Sequence, residues 1–257
     1  MTAADLTPGM VILVIGGVFL GSFMDGIAGG GGLITLPTYL LTGLPTHIAL
    51  GTNKLSSCIG TTVSTARFIK NGKVDWLPAV GSIPLALLGA HLGTRLQLQV
   101  SERWLQYLLL PVLPLVAFVV LKQKSFPEEP GQIGRRKQLA VIWAASLIIG
   151  TYDGFYGPGT GTFLLLIYCN LAKLDVRTAG GNVKVTNLCS NVAAMFTSLS
   201  QGKVFVLLGL IGAAAAVAGQ YLGSGLALKN GSKIVKPVVI AVLILLAVKV
   251  VSGLIQG

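Results

Sequence analysis

The chain has 257 residues, of which 53% are hydrophobic and 11% charged, and its mean hydropathy is +0.79. This composition excludes a soluble domain, because so few polar residues cannot cover a water-facing fold of this length. The formal charge of +11 does not indicate nucleic acid, since the basic residues lie in short loops between apolar segments. We therefore expect an integral protein of the lipid bilayer with no nucleic-acid partner.

Apolar segments bounded by proline, glycine or charged residues follow one another along the whole chain. They span residues 10–28, 33–44, 46–69, 76–97, 104–121, 138–156, 161–171, 178–200, 204–228 and 237–255. A helix needs about 20 residues to cross a hydrocarbon layer of about 30 Å, so segments 33–44 and 161–171 are too short. A run of glycines precedes each of them. We expect each short segment to fold back on the helix before it, as a hairpin broken at the glycines.

Several motifs occur twice. Residues 25–32, Asp-Gly-Ile-Ala-Gly-Gly-Gly-Gly, correspond to residues 153–161, Asp-Gly-Phe-Tyr-Gly-Pro-Gly-Thr-Gly. The turn at residues 71–74 returns 130 residues later, at residues 201–204. A duplication with broken helices in each half is typical of secondary transporters. It predicts an all-α integral membrane fold of two inverted repeats, each a broken-helix hairpin plus three long transmembrane helices.

The predicted halves are residues 1–122 and 138–257, joined by a polar, turn-rich linker at residues 123–137. The distribution of charge predicts their orientation. If each hairpin counts as two passes and the linker is cytoplasmic, 13 basic residues lie inside, and those outside are Arg95, Arg103 and Lys203. Counting each hairpin as one pass moves five basic residues of the second half outside and weakens this bias. We therefore expect both termini outside.

The glycine run Gly29–Gly32, the stretch from Gly43 to Asn53, the turn from Asn71 to Trp76 and their counterparts after residue 150 follow the order of a known family. On these motifs the chain resembles the TauE/SafE family of sulfite exporters. The resemblance implies a multi-pass transporter of the bacterial inner membrane that moves sulfite, sulfonates or related sulfur-containing molecules, usually outward, without a nucleotide-binding domain. Lys54 and Pro158 depart from the family pattern, which indicates a subgroup with its own substrate.

Two lysines lie deep within apolar segments. Lys54 and Lys184 are on the order of 10–13 Å below the membrane surface at 1.5 Å per residue. An ammonium near the bilayer centre costs at least ~2.5–3.5 kcal/mol and persists where it faces a cavity, a counter-charge or a ligand. We expect the two lysines to meet near the midplane as a site for a small anion. The alternative is that Asp25 and Asp153 form structural ion pairs with them.

Amides and backbone groups complete the predicted site. Asparagine amides near the lysines can donate to sulfonate oxygens, or they can instead hydrogen-bond across helices. Unpaired N–H groups at the glycine breaks can turn positive helix ends toward an anion. The predicted substrate-binding residues are Lys54, Lys184, Asn53, Asn182, Asn187, Gly30, Gly31, Gly32, Gly159, Thr160 and Gly161. The alternative for glycines is close helix packing, which we expect at Gly16, Gly17, Gly21, Gly89 and Gly93.

Asp25 and Asp153 are also candidates for coupling to an ion gradient, ahead of His47 and His91. Two functions stay open on these residues, a secondary transporter that works by alternating access and an anion channel. An intramembrane enzyme or sulfur redox protein is disfavoured, because the three cysteines show no metal or dithiol spacing. We expect no catalytic residue, metal or cofactor, and gradients must supply the energy because no Walker motif is present. A homodimer is left open.

Overall fold

The computed structural model describes residues 6–101 and 126–238, with residues 240, 241 and 244. Within these ranges all regular secondary structure is helical. The helices are α1 (Pro8–Ala28), α2 (Gly32–Leu41), α3 (Thr46–Lys70), α4 (Trp76–Gln99), α5 (Arg135–Phe155), α6 (Thr160–Asn170), α7 (Val176–Ser200) and α8 (Val206–Asn230). Residues 232–238 are again helical. The predicted segment 104–121 and most of 237–255 lie outside the described residues.

The helix boundaries follow local sequence signals. Thr7 caps α1, its hydroxyl accepting a hydrogen bond from the first turn, and Pro8 begins the helix where its missing N–H is harmless. The side chain of Asp175 caps α7 in the same way. α1 ends at Gly29 and α6 begins after Gly159, and both glycines have positive φ, at 77° and 86°. The helices therefore break at the glycine runs, as predicted.

Four helices of the described residues, α1, α4, α5 and α8, are long and apolar enough to cross a membrane. Large apolar side chains are exposed on the outside of all four, among them Leu20, Val80, Ile148 and Leu222. Helices α3 and α7 are equally long, at 25 residues each, but they carry polar residues and bury more than half of their length. The chain is therefore a multi-pass membrane protein in which apolar helices shield two polar ones from lipid.

Glycines allow the helices of each hairpin and its neighbours to approach closely. A Cβ at Gly17 or Gly21 would collide with α2, and one at Gly89 or Gly93 would collide with α5. The predicted packing role of these four glycines is confirmed. The same prediction for Gly16 is wrong within the described residues, because a Cβ there would meet no atom within 4 Å.

The two ends of the bundle are distinguished by their loops. We call one end the linker face, which carries loops 71–75 and 171–175 together with linker residues 126–134. There Arg135 pairs with Asp75 at 2.6 Å, and the N–H of Gly131 donates to the carbonyl of Lys173 at 2.8 Å. The other end, the opposite face, carries loops 42–45 and 201–205. Helices α3 and α7 therefore run in opposite directions between the two faces.

The two broken hairpins enter the bundle from different faces. α1 runs beside α8 in the same direction, since Gly212 near the start of α8 faces Val14 and Ser224 near its end faces Gly26. Because α8 starts at the opposite face, the α1–α2 hairpin enters from there. α5 runs beside α4 in the same direction, and α4 starts at the linker face. The α5–α6 hairpin therefore enters from the linker face.

The tips of the two hairpins meet inside the bundle. The hydroxyl of Thr162 donates to the carbonyl of Ala28 at 3.2 Å. A Cβ at Gly29 would lie 2.4 Å from the backbone of Gly161, so only glycines permit this approach. Both helix breaks consequently lie at one place in the fold, between α3 and α7.

Candidate functional site

A polar cavity of about 30 Å³ lies where the hairpin tips meet the long helices. The hairpins contribute Ser22, Asp25, Gly30, Gly31, Gly32, Thr35, Asp153, Gly157, Thr160 and Gly161. The long helices contribute Asn53, Lys54, Ser57, Thr61, Asn187, Asn191 and Gln220. A single water needs about 10–15 Å³ of the volume that is accessible to the centre of a water molecule. The cavity therefore has room for two or three waters or for one small ion.

Lys54 forms the first of two buried ion pairs. Its ammonium nitrogen lies 2.8 Å from Oδ1 of Asp153 and donates to Oδ1 of Asn191 at 3.2 Å. The hydroxyl of Ser190 donates to the second oxygen of Asp153 at 2.5 Å. An ammonium has three N–H donors, so one donor of Lys54 has no partner among the described residues. Lys54 thus keeps a donor for a ligand in the cavity that it lines.

The second ion pair joins Lys184 to Asp25, with Nζ 3.0 Å from Oδ2. Lys184 also donates to the backbone carbonyl of Asp25. The carboxylate of Asp25 accepts two further hydrogen bonds, from Nε2 of Gln220 at 2.6 Å and from the N–H of Gly31 at 3.3 Å. Asp25 lines the central cavity, whereas Lys184 lines a separate apolar pocket of about 10 Å³ beside Phe68. The second lysine therefore reaches the cavity only through its aspartate.

The two ion pairs cross between the halves of the chain. Each lysine belongs to a long helix of one half, α3 or α7, and its aspartate belongs to the hairpin of the other half, α5 or α1. All four side chains are at least 86% buried. The four charges sum to zero, so the site is neutral before a ligand binds. Loss of any one of them leaves a buried charge without its counter-ion.

Four side chains of the cavity wall have a buried polar atom that finds no partner among the described residues. These atoms are Oγ1 of Thr35, Oδ1 of Asn53, Oγ1 of Thr61 and Oε1 of Gln220. A buried polar group without a hydrogen bond costs about 1–3 kcal/mol. Four such atoms around one small cavity indicate that the cavity binds water or another polar ligand.

The glycine breaks add backbone donors to the same wall. The N–H groups of Gly32 and Gly161 stand in the first turns of α2 and α6, and they donate no backbone hydrogen bond within the described ranges. The N–H of Gly31 donates to Asp25 instead. Two helix N-termini, where negative charge is stabilised, therefore border the cavity.

Most of the predicted site residues line this cavity, namely Asn53, Lys54, Asn187, Gly30, Gly31, Gly32, Thr160 and Gly161, with Asp25 and Asp153. Three predicted residues do not, namely Lys184, Asn182 and Gly159. The Nδ2 of Asn182 donates to the carbonyl of Thr178 at 2.9 Å, within its own helix. Gly159 has positive φ and faces the ring of Phe163. The two lysines thus do not share one wall, and each has an aspartate partner.

Sequence reasoning missed five polar residues of the wall, namely Ser22, Thr35, Ser57, Thr61 and Gln220. Ser57 and Thr61 follow Lys54 by three and seven residues and so share its helix face, a spacing that was available as a signal. Gln220 corresponds to Ala90 in the repeat, so the duplication itself gave no reason to select it. Its amide within an otherwise apolar segment was the remaining signal.

The sulfite exporter TauE/SafE family profile matches residues 13–250. The chain belongs to this family. Its relatives include the "Probable membrane transporter protein ORF9" of Sinorhizobium sp, 31% identical over 251 residues, which cover 96% of this chain and 95% of that protein. A "Probable membrane transporter protein" of Haemophilus influenzae is 30% identical over 236 residues, 91% of each chain. "Probable membrane transporter protein YfcA" of Escherichia coli is 30% identical over 230 residues, 90% of this chain and 85% of that protein.

No solved structure matches the chain. As a TauE/SafE protein, it is a membrane transporter that works in a lipid bilayer on a small-molecule substrate.

Proposed function

We propose that this protein is a secondary transporter that exports a small sulfur-containing anion, such as sulfite or an organosulfonate, across the cell inner membrane. The observation that carries the proposal is the free donor of Lys54 in a buried cavity. Beside it lie the unpartnered hydroxyls of Thr35 and Thr61. An oxyanion presents several acceptors to such a set of donors. The sulfur chemistry comes from the name of the family.

The two halves act as inverted repeats in this proposal. The inverted arrangement is supported by the entry of the two hairpins from different faces and by the opposite directions of α3 and α7. Basic residues are concentrated on the linker face, which carries Lys70, Lys73, Arg135, Arg136, Lys137, Lys173, Arg177, Lys229 and Lys233. The opposite face carries Arg95 and Lys203. By the positive-inside rule, this concentration supports a cytoplasmic linker face.

The meeting of the two hairpin tips supports alternating access. Each hairpin enters from its own face, and in this proposal the tips close the central cavity from each side in turn. The ion pairs cross between the halves, so a rocking movement of one half against the other changes the lysine–aspartate distances. An anion that approaches Lys54 competes with Asp153 for the ammonium. Binding at this site is thereby linked to the rearrangement of the halves.

The neutral charge of the site also suggests how transport is coupled. An added anion makes the buried group of charges negative, which is costly in a membrane interior. A proton on Asp25 or Asp153 restores neutrality. We propose that anion movement is coupled to proton movement through one of these carboxylates.

Flux measurements in proteoliposomes test the proposed function. Vesicles loaded separately with sulfite, sulfoacetate, taurine, sulfate and thiosulfate should show saturable flux of at least one sulfur anion, and a pH gradient should change its rate. Lys54→Met vesicles are the matched control and should not exceed empty vesicles. Flux that does not saturate and ignores the gradient would indicate an anion channel. Absence of flux for all five compounds would refute the proposal.

A further inference from the structure

Gln220 differs from the other polar groups of the cavity, because its amide orientation is fixed. Its Nε2 donates to Oδ2 of Asp25 at 2.6 Å. Asp25 is ion-paired with Lys184, and an ionised carboxylate only accepts hydrogen bonds. While this pair is intact, the nitrogen and not the oxygen of the amide must therefore face Asp25. The amide oxygen, Oε1, therefore faces away from Asp25 and remains an acceptor. This atom is buried and has no partner among the described residues, and the whole residue is 2% exposed.

The other free groups of the wall are not restricted to accepting a hydrogen bond. Lys54 has a free N–H, which can only donate, and the hydroxyls of Thr35 and Thr61 can donate or accept. Oδ1 of Asn53 is also unpartnered, but no hydrogen bond to the described residues fixes the orientation of its amide, which can turn its nitrogen to a ligand. A ligand made only of acceptors satisfies these groups but leaves Oε1 of Gln220 without a hydrogen bond. A ligand that carries one donor together with anionic oxygens also satisfies Gln220. The cavity volume of about 30 Å³ restricts such a ligand to a few non-hydrogen atoms.

We infer that the site selects a small oxyanion that retains one O–H group, and that Gln220 determines this selection by accepting the hydrogen bond of that O–H. Hydrogen sulfite in its hydroxyl form has this chemistry, whereas the sulfite dianion and methanesulfonate do not. The inference rests on the proposed function, since it specifies which form of the anion occupies the same cavity. It adds that the transported species carries its own proton into the site.

Gln220→Met tests this role, because methionine keeps the approximate length and volume of the side chain and removes both the free acceptor and the hydrogen bond to Asp25. Ser190→Ala is the matched control. It removes a hydrogen bond to the other aspartate, Asp153, from a residue that does not line the cavity. Binding of hydrogen sulfite and of methanesulfonate is measured by calorimetry on each purified protein in detergent. The pH is kept slightly acidic so that sulfite is mainly the monoanion.

The wild type should bind hydrogen sulfite about ten-fold more tightly than methanesulfonate, since a buried acceptor left unpaired has a cost of this size. Gln220→Met should lose this ratio. Ser190→Ala should weaken both anions in equal proportion and keep the ratio. Raising the pH until sulfite loses its proton should weaken its binding to the wild type more than to Gln220→Met.

Two other results would overturn the inference, and they differ in what they mean for the proposed function. If the wild type binds both anions and Gln220→Met keeps the wild-type ratio, the inference is wrong, and a bound water satisfies Gln220 while the proposed function stands. If the wild type neither binds nor transports any of the sulfur anions, the proposed function fails and the inference fails with it.

Discussion

Lys54 on α3 and Asp153 on α5 form an ion pair 2.8 Å long across the boundary between the two halves, with side chains 6% and 3% exposed. A pair at this depth differs from a surface pair, because neither charge can be hydrated once its partner is lost. Its contribution to stability and its contribution to transport can therefore be separated by neutralising one charge or both.

Lys54→Met should lower the free energy of unfolding by about 3–5 kcal/mol, because Asp153 keeps a buried charge with no counter-ion. The double variant Lys54→Met/Asp153→Asn should recover most of this loss, since no buried charge remains. Neither variant should transport, because both lack the ammonium that contacts the anion. Thermal unfolding in detergent and flux in proteoliposomes measure the two effects.

The exposed pair between Arg135 and Asp75 provides the control for this series. Its side chains are 45% and 25% exposed, so its neutralisation should change stability by at most about 1 kcal/mol and leave flux intact. Normal transport by the double variant of Lys54 and Asp153 would show that the buried pair is purely structural.

The contact between the hairpin tips should tolerate no side chain. Gly161→Ala adds a methyl carbon 2.7 Å from the Cα of Gly29, which is closer than two carbon atoms can pack. We expect the tips to separate and the flux to fall ten-fold or more. Gly16→Ala is the matched control, because a Cβ there meets no described atom within 4 Å. Equal flux in the two variants would contradict a role for the tips in closing the cavity.

The orientation of the bundle can be tested by cysteine labelling of intact cells. Cysteines at Pro45 and Lys203 lie in loops of the opposite face and should react with an impermeant reagent from outside. Cysteines at Gly131 and Asn230 lie on the linker face and should react only after permeabilisation. The three native cysteines are first replaced by serine or alanine. External labelling at Gly131 would reverse the proposed orientation.

Glu128 ties the linker to the second half of the chain. It accepts a hydrogen bond from the N–H of Ser232 at 2.7 Å and pairs with Arg177 at 2.9 Å. The contacts with Ser232, followed by the charge of Arg177, hold the pKa of the Glu128 carboxyl below its ordinary value of 4.5. Since the folded pKa is depressed, this contribution to stability is complete above the ordinary pKa and disappears as the pH falls through the folded pKa.

Glu128→Gln should therefore be less stable than the wild type at neutral pH, and the difference should shrink as the pH falls below about 4.5. Thermal unfolding at a series of pH values measures this difference. Glu129→Gln is the control, because Glu129 is exposed and forms no ion pair with the described residues. A stability difference that does not vary with pH would argue against the ionised contact.

The helices were predictable from the sequence because their signals are local. Segment 46–69 was predicted and α3 spans Thr46–Lys70, since a proline precedes the helix and a glycine turn follows it. The breaks at the two glycine runs were predicted for the same reason. At the start of α5, three residues assigned to the linker are helical, because Arg135 begins the helix while pairing with a loop of the first half. That contact is not local and left no pattern in the sequence.

Most residues that line the cavity were predictable from the sequence, but the pairing of the lysines with the aspartates was not. The repeat identified two lysines and two aspartates, yet either aspartate can reach either lysine in a sequence argument. The choice depends on how the hairpins pack against α3 and α7. Lys184 lies outside the cavity because its ammonium turns to the carbonyl and carboxylate at the end of α1. Gln220 could not be found from the repeat, because its counterpart is Ala90.

The crossed ion pairs also affect the order in which the protein can assemble. Synthesis runs from the N-terminus, so Asp25 and Lys54 are made before Asp153 and Lys184. Neither native ion pair can form until the second half has entered the membrane. Neither half is electrically complete in its native arrangement without the other. A chain truncated after α4 is therefore a natural target for proteases that clear unassembled membrane segments.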